Sequence, residues 1–282
     1  MGALDGKVVA ITGAASGIGR ALALEVARRG GSVALCDIDE QGLGDTSRAV
    51  DDLGARATTQ IVDVADRDAV ETWASKVVAD HGKVDLVVNN AGVALVATVE
   101  RMSYEDFEWL MGINFWGMIY GTKAFLPHLR AGGGGHVVNV SSIFGLVGVP
   151  SQSAYNAAKF AVRGFTEALR IELDSDRSGR VSCTTVHPGG IRTGIVRHGR
   201  FDSDTMRGMG QDPDKAPTRM ERVFITSPEK AARIILDAAA RNRRRVLIGP
   251  DAQLFKVLSY LPPGVFQNVI GLGTRLGTRL LR

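Results

Sequence analysis

A tyrosine and a lysine four residues apart form the first pair with recognisable chemistry. Tyr155 and Lys159 belong to the sequence Tyr-Asn-Ala-Ala-Lys, in a stretch whose apolar spacing predicts a helix over 155–173. Residues i and i+4 share a helix face, which places the ammonium close to the phenol. A free phenol has a pKa of about 10, and a neighbouring cation favours the phenolate. The pair therefore predicts a tyrosine general base whose pKa Lys159 lowers, although the same spacing also fits a solvated helix face.

A glycine-rich turn predicts a phosphate site. The sequence Thr-Gly-Ala-Ala-Ser-Gly-Ile-Gly at 12–19 joins an apolar stretch to a helical one. Glycines allow a tight turn and a close approach of the backbone to a pyrophosphate, and the positive end of the following helix faces that charge. We expect the pyrophosphate of a dinucleotide to lie against Gly13, Ser16, Gly17, Ile18 and Gly19. A turn that needs glycine only for packing is the alternative interpretation.

Asp37 stands at a position that distinguishes two cofactors. It ends the next apolar stretch, 18 residues after Gly19. A carboxylate there accepts hydrogen bonds from the hydroxyls of an adenosine ribose and repels a 2′-phosphate. Neither Ser16 nor Ile38 provides a basic side chain for such a phosphate. The sequence therefore favours NAD over NADP, and the alternative is an Asp37 that only begins a solvated turn.

Four motifs in this order resemble the short-chain dehydrogenase/reductase family. They span about residues 5–250 and are the glycine turn, Asn89-Asn90-Ala91-Gly92, Tyr155-Asn156-Ala157-Ala158-Lys159 and Pro188-Gly189. The resemblance implies that Asp63 and Val64 flank the adenine of the cofactor. It further implies that the adenosine side is lined by Asn90, Ala91 and Gly92, and the nicotinamide side by Pro188, Gly189, Ile191 and Thr193. Thr193 would bond the nicotinamide carboxamide, and Lys159 the adjoining ribose.

The same resemblance implies the remaining catalytic residues. Ser142, 13 residues before Tyr155, would hydrogen-bond the substrate oxygen, with Ser141 as the adjacent alternative. Asn114 would hold a water that connects Lys159 to solvent; the alternative is a helix-interior residue that bonds backbone. In alcohol oxidation Tyr155 would take the hydroxyl proton while hydride passes to the nicotinamide.

Two other classes of function compete with a dehydrogenase. A dinucleotide-binding regulator or scaffold could retain the fold without turnover, but the complete set of Asn114, Ser142, Tyr155 and Lys159 argues against it. A carbohydrate epimerase or dehydratase would be expected to need a larger substrate domain.

Apolar residues surround the expected substrate position. Phe144 and Val149 are predicted to contact the substrate together with Ser142 and Tyr155. Further apolar candidates are Val93, Ala94, Leu95, Val147 and Pro150. Such walls favour a small hydrophobic substrate, a secondary alcohol or its ketone.

These residues need a parallel sheet to bring them together. Short apolar stretches such as VVAIT, DLVVN and HVVNV alternate with helical ones up to Ile248. This alternation implies crossover connections, and the near-continuous apolar strands indicate a sheet covered on both faces. We expect an α/β fold, a doubly wound, Rossmann-like parallel sheet in a single domain over residues 1–250. A long insertion at about 194–226, rich in Met and mixed in charge, is predicted to be a substrate lid or a disordered segment.

Composition excludes several classes of protein. Of the 282 residues, 45% are hydrophobic and 23% are charged, which is too apolar for a disordered chain. Cys36 and Cys183 lie in apolar stretches and are expected to be buried and reduced, and the histidines lack metal-ligand spacing, so no metal is expected. The sequence has neither a signal peptide nor an apolar stretch long enough to span a membrane, which favours a cytoplasmic protein. The family resemblance implies a homo-oligomer, a dimer or tetramer.

Charge distinguishes the C-terminal part from the rest. Residues 241–282 contain 8 Lys and Arg against 1 Asp, a net charge of +7, which leaves −3 for the preceding residues of a chain whose net charge is +4. The acidic body argues against nucleic-acid binding. From residue 251 to 282, which we call the tail, apolar and basic residues combine as in amphipathic helices. Three interpretations are open: packing over the substrate mouth or a partner subunit, peripheral contact with an anionic membrane, and disorder.

Overall fold

Seven strands form the main sheet in the part of the chain that the computed structural model describes, residues 4–176, 180–196, 198–215 and 224–280. These strands are β1 (Val8–Thr12), β2 (Ser32–Asp37), β3 (Ala57–Ile61), β4 (Leu86–Asn89), β6 (Gly135–Val140), β7 (Val181–Pro188) and β9 (Arg245–Ile248). Their order is β3-β2-β1-β4-β6-β7-β9, and every neighbouring pair is parallel. The predicted doubly wound parallel sheet is confirmed. A separate small sheet pairs β5 (Leu95–Val96) with β8 (Arg200–Phe201).

Helices cover both faces of the main sheet. The helices of the described residues are α1 (Gly17–Arg28), α2 (Glu40–Asp51), α3 (Arg67–His81), α4 (Tyr104–Met111), α5 (Gly117–Ala131), α6 (Ser153–Ser175), α7 (Ser203–Gly208), α8 (Pro228–Ala240), α9 (Pro250–Leu258) and α10 (Pro263–Leu280). Of these, α1, α2, α3, α5, α6 and α8 pack on the main sheet. Successive strand residues point to opposite faces, so Ile11 packs with α1 and α8 while Ala10 packs with Trp73 and Phe125. The two aromatic rings meet edge to face at 5.1 Å. Cores on both sides therefore hold the strand ends rigidly in place.

The carboxyl ends of the strands gather the predicted site residues at one edge. There β1 leads into the glycine turn, β2 ends at Asp37, β6 precedes Ser142 and β7 ends at Pro188. The strand order reverses between β1 and β4. Open α/β sheets bind ligands in the crevice at such a reversal.

The helical segment from Tyr104 to Ala131 is divided in the structure. A π-helical turn, Gly112–Trp116, separates α4 from α5. A π turn adds a residue to the helical repeat, a shift that apolar spacing alone does not reveal. The turn buries Asn114, whose side chain would lie elsewhere on a continuous helix.

The first half of the insertion is docked on the body. After a 3₁₀ turn, Gly194–Val196, β8 pairs with β5, and α7 buries Met206 against Val96 and Phe201. Arg200 bonds Asp106 at 2.7 Å. Residues 197 and 216–223, with Met220, lie outside the described part of the insertion.

Candidate active site

Tyr155, Lys159 and Ser142 come together at the carboxyl edge of the sheet. Tyr155 and Lys159 occupy successive turns of α6, and the ammonium lies 5.6 Å from the centre of the phenol ring. The ammonium donates to the Val140 carbonyl at 3.1 Å. Ser142 follows β6 in an extended conformation and begins the 3₁₀ turn Ile143–Gly145, so its hydroxyl faces the Tyr155 side of the crevice.

Burial is the main cause of the pKa shifts of Tyr155 and Lys159. Part of the Tyr155 side chain reaches solvent, yet desolvation by the surrounding protein raises the pKa of its phenol to about 12, and only hydrogen bonding to Ser142 opposes the shift. Burial lowers the pKa of Lys159 to about 8. Burial dominates the phenol pKa in this arrangement, because the ammonium bonds a carbonyl instead of the phenol. A lowering of the Tyr155 pKa by Lys159 together with an oxidised nicotinamide stays a prediction.

The two adjacent serines have different partners. The Ser141 hydroxyl is buried and donates to the Lys159 carbonyl at 2.8 Å, which fixes α6 to β6. The Ser142 hydroxyl accepts from the Phe144 amide at 3.1 Å. Ser141 is thus committed to the backbone, whereas the Ser142 hydroxyl shares a hydrogen bond with Tyr155 in the crevice.

Both polar atoms of the Asn114 side chain are hydrogen-bonded to the backbone of Val93. Its Oδ1 accepts from the Val93 amide at 2.8 Å, and its Nδ2 donates to the Val93 carbonyl at 2.9 Å. A Cβ at Gly92 would lie 3.2 Å from the Asn114 oxygen and 3.4 Å from the Lys159 nitrogen. Asn114 therefore fixes the strand-end segment that lies against Lys159, and both polar groups meet at Gly92.

Asn156 is a site residue that the sequence reasoning missed. Its Nδ2 donates to the carbonyls of Phe144 and Val147 at 2.8 and 2.9 Å, and its Oδ1 accepts from the Val149 amide at 3.1 Å. The side chain thus holds the loop from 144 to 149 against α6. Its position directly after Tyr155 in the sequence is the signal that could have identified Asn156 as a site residue.

The apolar residues predicted to line the pocket fall into two groups, those buried in the interior and those that reach the surface. Leu95 and Val147 are 2% and 3% exposed and belong to the interior, so they do not line an open pocket as expected. Val93, Ala94, Phe144 and Val149 are half-buried and Pro150 is exposed. A groove of about 470 Å³ runs between the 148–150 loop and α10, and its lining is Gly148, Val149, Pro150, Ser153, Asn156, Gln267, Ile270 and Gly271.

The glycine turn has the geometry that close backbone approach requires. Gly13 and Gly17 have φ of +66° and +54°, in the left-handed region. The side-chain Nδ2 of Asn90 donates to the carbonyls of Thr12 and Gly13 at 3.0 and 3.1 Å, so Asn90 fastens the turn rather than facing outward. Ala91 stands next to it, since a Cβ on Gly13 would lie 2.8 Å from the Ala91 Cα.

Asp37 also binds the glycine turn. Its Oδ2 accepts from the Ala15 amide at 2.9 Å, and its Oδ1 from the Asp39 amide at 3.1 Å. A carboxylate has about four acceptor positions, so two remain for ribose hydroxyls. Just after β3, the exposed Asp63 accepts from the Ala65 amide and Val64 is buried.

The loop after β7 reaches across to the glycine turn. A Cβ on Gly17 would lie 3.1 Å from the Thr193 Cβ, which brings together two distant predicted residues. Ile191 is buried and bridges to Thr226. The Gly190 amide donates to Asp251 Oδ2 at 2.6 Å. Asp251 belongs to the tail and was not predicted to take part in the site.

These features fit a bound dinucleotide. Ser16 precedes α1, is exposed, and makes no capping hydrogen bond, and the first turn of α1 has no acidic residue. The positive helix end is therefore available to a phosphate. Asp37 has acceptor capacity for a ribose at the neighbouring strand end.

The fold and this arrangement are typical of oxidoreductases that bind a nicotinamide dinucleotide. The sequence profile of the short chain dehydrogenases matches residues 7–203. The chain therefore belongs to the short-chain dehydrogenase/reductase family and is an oxidoreductase.

Two relatives show the breadth of this similarity. The putative oxidoreductase SadH of Mycobacterium tuberculosis is 44% identical over 274 residues, 97% of each chain. Estradiol 17-beta-dehydrogenase 11 of Macaca fascicularis is 35% identical over 237 residues, 80% of this chain and 76% of the relative.

Solved structures extend the comparison to nicotinamide cofactors. A short-chain dehydrogenase/reductase from Burkholderia phymatum in complex with NAD has a TM-score of 0.84 and 31% identity, over 92% of this chain and 94% of the other. An alcohol dehydrogenase from Thermococcus sibiricus, complexed with 5-hydroxy-NADP, has a TM-score of 0.71 and 26% identity over 86% and 95%. Both cofactor types thus occur among similar structures.

Proposed function

We propose that this protein is an NAD-dependent oxidoreductase that interconverts a hydrophobic secondary alcohol and its ketone. The observation that carries the proposal is the junction of Ser142, Tyr155 and Lys159 beside the glycine turn. Bound NAD would supply the hydride acceptor, held by the glycine turn, Asp37 and the loop after β7.

The side chains divide the remaining work. Ser142 donates its hydroxyl proton to the substrate oxygen and stabilises the charge that develops there. Tyr155 takes the hydroxyl proton during oxidation and returns it during reduction. Lys159 brings positive charge to the phenolate; the Val140 carbonyl holds the ammonium, and Asn114 fixes the Gly92–Val93 segment beside it. Exclusion of water by the 144–149 loop strengthens each of these interactions.

The walls of the crevice support a hydrophobic substrate. Phe144 packs edge to face on Tyr155 with ring centres 6.2 Å apart, and Val149 lies farther along the same loop. A relative is named for estradiol, an apolar secondary alcohol, which agrees with this class of substrate.

The Asp37 carboxylate supports NAD as the preferred cofactor. Its free acceptor positions suit two ribose hydroxyls, whereas a 2′-phosphate would meet a negative charge. A dinucleotide-binding scaffold without turnover is the alternative, and it gives no reason for a phenol, an ammonium and a serine hydroxyl to converge.

The surface supports further proposals on assembly and location. Large apolar side chains exposed on the body, Trp116 at 48% and Phe160 at 41%, support a homo-oligomer. No helix within the described residues is both long and apolar enough to cross a bilayer. The buried thiols of Cys36 and Cys183 suit a reducing cytoplasm.

The outer face of α10 supports peripheral contact with an anionic membrane. It exposes Val265, Val269 and Leu272 at 48%, 46% and 59%, and residues 241–282 carry +7. Co-sedimentation with vesicles of anionic and of neutral lipid, for the full chain and for a chain ending at Asp251, tests it. Equal recovery of both chains with anionic vesicles would reject the contact.

A substitution at Tyr155 tests the assigned function. A series of hydrophobic secondary alcohols is offered with NAD and with NADP, and reduced nicotinamide is followed by its absorbance. We expect Tyr155→Phe to lower kcat at least about 100-fold while NADH affinity stays nearly unchanged. Tyr104→Phe is the control, because Tyr104 is 86% exposed. Retained turnover in Tyr155→Phe would refute the base.

A further inference from the structure

The first helix of the tail touches both halves of the active site. Asp251 Oδ2 accepts from the Gly190 amide at 2.6 Å, in the loop assigned to the nicotinamide. Phe255 meets the Phe144 ring edge to face, with centres 6.4 Å apart and planes at 83°. Phe144 makes the same kind of contact with Tyr155, at 6.2 Å and 87°.

The spacing explains how one short helix reaches two loops. Positions 251 and 255 are i and i+4 on α9 and share one face. Proline at the first helical position and an aspartate at the second start the helix directly after β9, at the edge where the strand ends converge. An acidic side chain in the first turn is also favoured by the helix dipole.

The Asp251 carboxylate occupies space that two glycines leave open. A Cβ on Gly189 would lie 2.1 Å from Asp251 Oδ2, and a Cβ on Gly249 would lie 2.4 Å from Asp251 Oδ1. Gly249 also has φ of +105°, which side chains rarely adopt. Among the described atoms, Oδ1 is buried without a hydrogen-bond partner. Because an unpaired buried oxygen is costly, simple stabilisation of the fold is a poor explanation for this carboxylate.

We propose that α9 contributes two functional residues to the active site. Asp251 is a positioning residue that sets the Pro188–Gly190 loop through the Gly190 amide. Phe255 is a specificity-determining residue that backs Phe144 and limits the size of the substrate beside Tyr155. The proposal rests on the proposed function and deepens it, and it joins the first helix of the tail to the dehydrogenase body.

The test uses the full chain with four single substitutions. Asp251→Ala removes the acceptor, and Asp251→Asn keeps an amide oxygen for the Gly190 N–H. Phe255→Ala opens the space behind Phe144. Leu254→Ala is the matched control on the same helix, since Leu254 is 58% exposed. The readouts are NADH affinity by fluorescence, kcat and KM for NAD, and kcat/KM across secondary alcohols of increasing size.

We expect Asp251→Ala to weaken NADH binding or lower kcat about 10- to 100-fold, with most of the loss restored in Asp251→Asn. Phe255→Ala should leave NADH affinity unchanged and raise the preference for bulky over small alcohols about tenfold. Asp251→Ala that matches Leu254→Ala, or Phe255→Ala that lowers all alcohols equally, would overturn the respective assignment. If the unaltered chain turns over no alcohol, the proposed function fails, and the NADH affinities still decide the role of Asp251.

Discussion

The Lys159 ammonium lies 5.6 Å from the centre of the Tyr155 ring and donates its hydrogen bond to the Val140 carbonyl instead. The cation is therefore close enough to act on the phenol through its charge without bonding it. Burial pushes the two pKa values in opposite directions, Tyr155 to about 12 and Lys159 to about 8. Catalysis near neutral pH requires that a bound cationic nicotinamide and Lys159 together reverse the first of these shifts.

Removal of the Lys159 charge should move the pH profile of oxidation. The phenolate is the active form in this direction, and a nearby cation favours it. We expect Lys159→Met to shift the acidic limb of kcat, measured with saturating NAD, to higher pH by about 1–3 units. Burial lowers the pKa of Lys159 to about 8, so the comparison is made on the limb below that pH, where the ammonium is charged. Lys123→Met on the exposed side of α5 is the control, and an unmoved limb would contradict the electrostatic role.

Loss of the Asp37 charge should change the cofactor preference. Asp37→Asn keeps an oxygen for the Ala15 amide but removes the charge that repels a 2′-phosphate. We expect kcat/KM for NAD to fall about 10- to 100-fold, as for the loss of a charge-assisted hydrogen bond, and the NADP-to-NAD ratio to rise. Asp39→Asn is the control, because Asp39 caps α2 through the Gly42 amide. Equal losses with both cofactors would show that Asp37 only braces the turn.

The sequence was sufficient for the parts of the site that depend on local spacing. The strand ends, the glycine turn and the Tyr155–Lys159 pair follow from periodicity and motif order, and the structure brings them to one edge. It was insufficient where a polar partner comes from a distant segment. Asp251 reaches Gly190 from 61 positions away, and only the path of the sheet between them reveals that contact.

Burial also separates residues of the same type in ways that spacing does not reveal. Leu95 and Phe144 are both apolar residues that were predicted to line the pocket. Leu95 packs with Leu110 in the interior, whereas Phe144 is half-buried beside Tyr155. The net pKa of Tyr155 depends on the balance of desolvation against charge. A sequence identifies the charged and titratable residues but not how deeply each side chain is buried.

A methyl group on Gly19 should disable the glycine turn. Its Cβ would lie 2.0 Å from the Gly13 carbonyl oxygen and 2.8 Å from the Asn90 amide nitrogen, so the turn must shift. We expect Gly19→Ala to abolish measurable NADH binding by fluorescence titration. Gly44→Ala in the interior of α2 is the control, since its nearest neighbour is 3.7 Å away. The Gly44→Ala variant should bind NADH normally, and its free energy of unfolding should rise by about 1 kcal/mol. Normal NADH binding by Gly19→Ala would refute the close approach of the cofactor to the turn.

Buried histidines should make the fold sensitive to mild acid. His136 is 9% exposed, and its two ring nitrogens bond the hydroxyls of Ser182 and Thr184 at 2.6 and 2.7 Å. Burial lowers the pKa of His136 to about 4, and that of His187 likewise. The neutral form is therefore fully favourable above about pH 6.5, the ordinary value, and its contribution is lost as pH falls from there toward about 4, because the unfolded chain binds the proton first.

The loss attributable to His136 can be isolated by substitution. Between about pH 6.5 and pH 5 the unaltered chain should lose about 2 kcal/mol of unfolding free energy through this residue. His136→Gln removes the titrating ring while keeping hydrogen-bonding groups for both hydroxyls, so its urea denaturation should depend less on pH by that amount. His198→Gln, at an exposed position, should retain the full dependence. Equal pH dependence in His136→Gln and the unaltered chain would mean that the ring already carries its proton in the folded state.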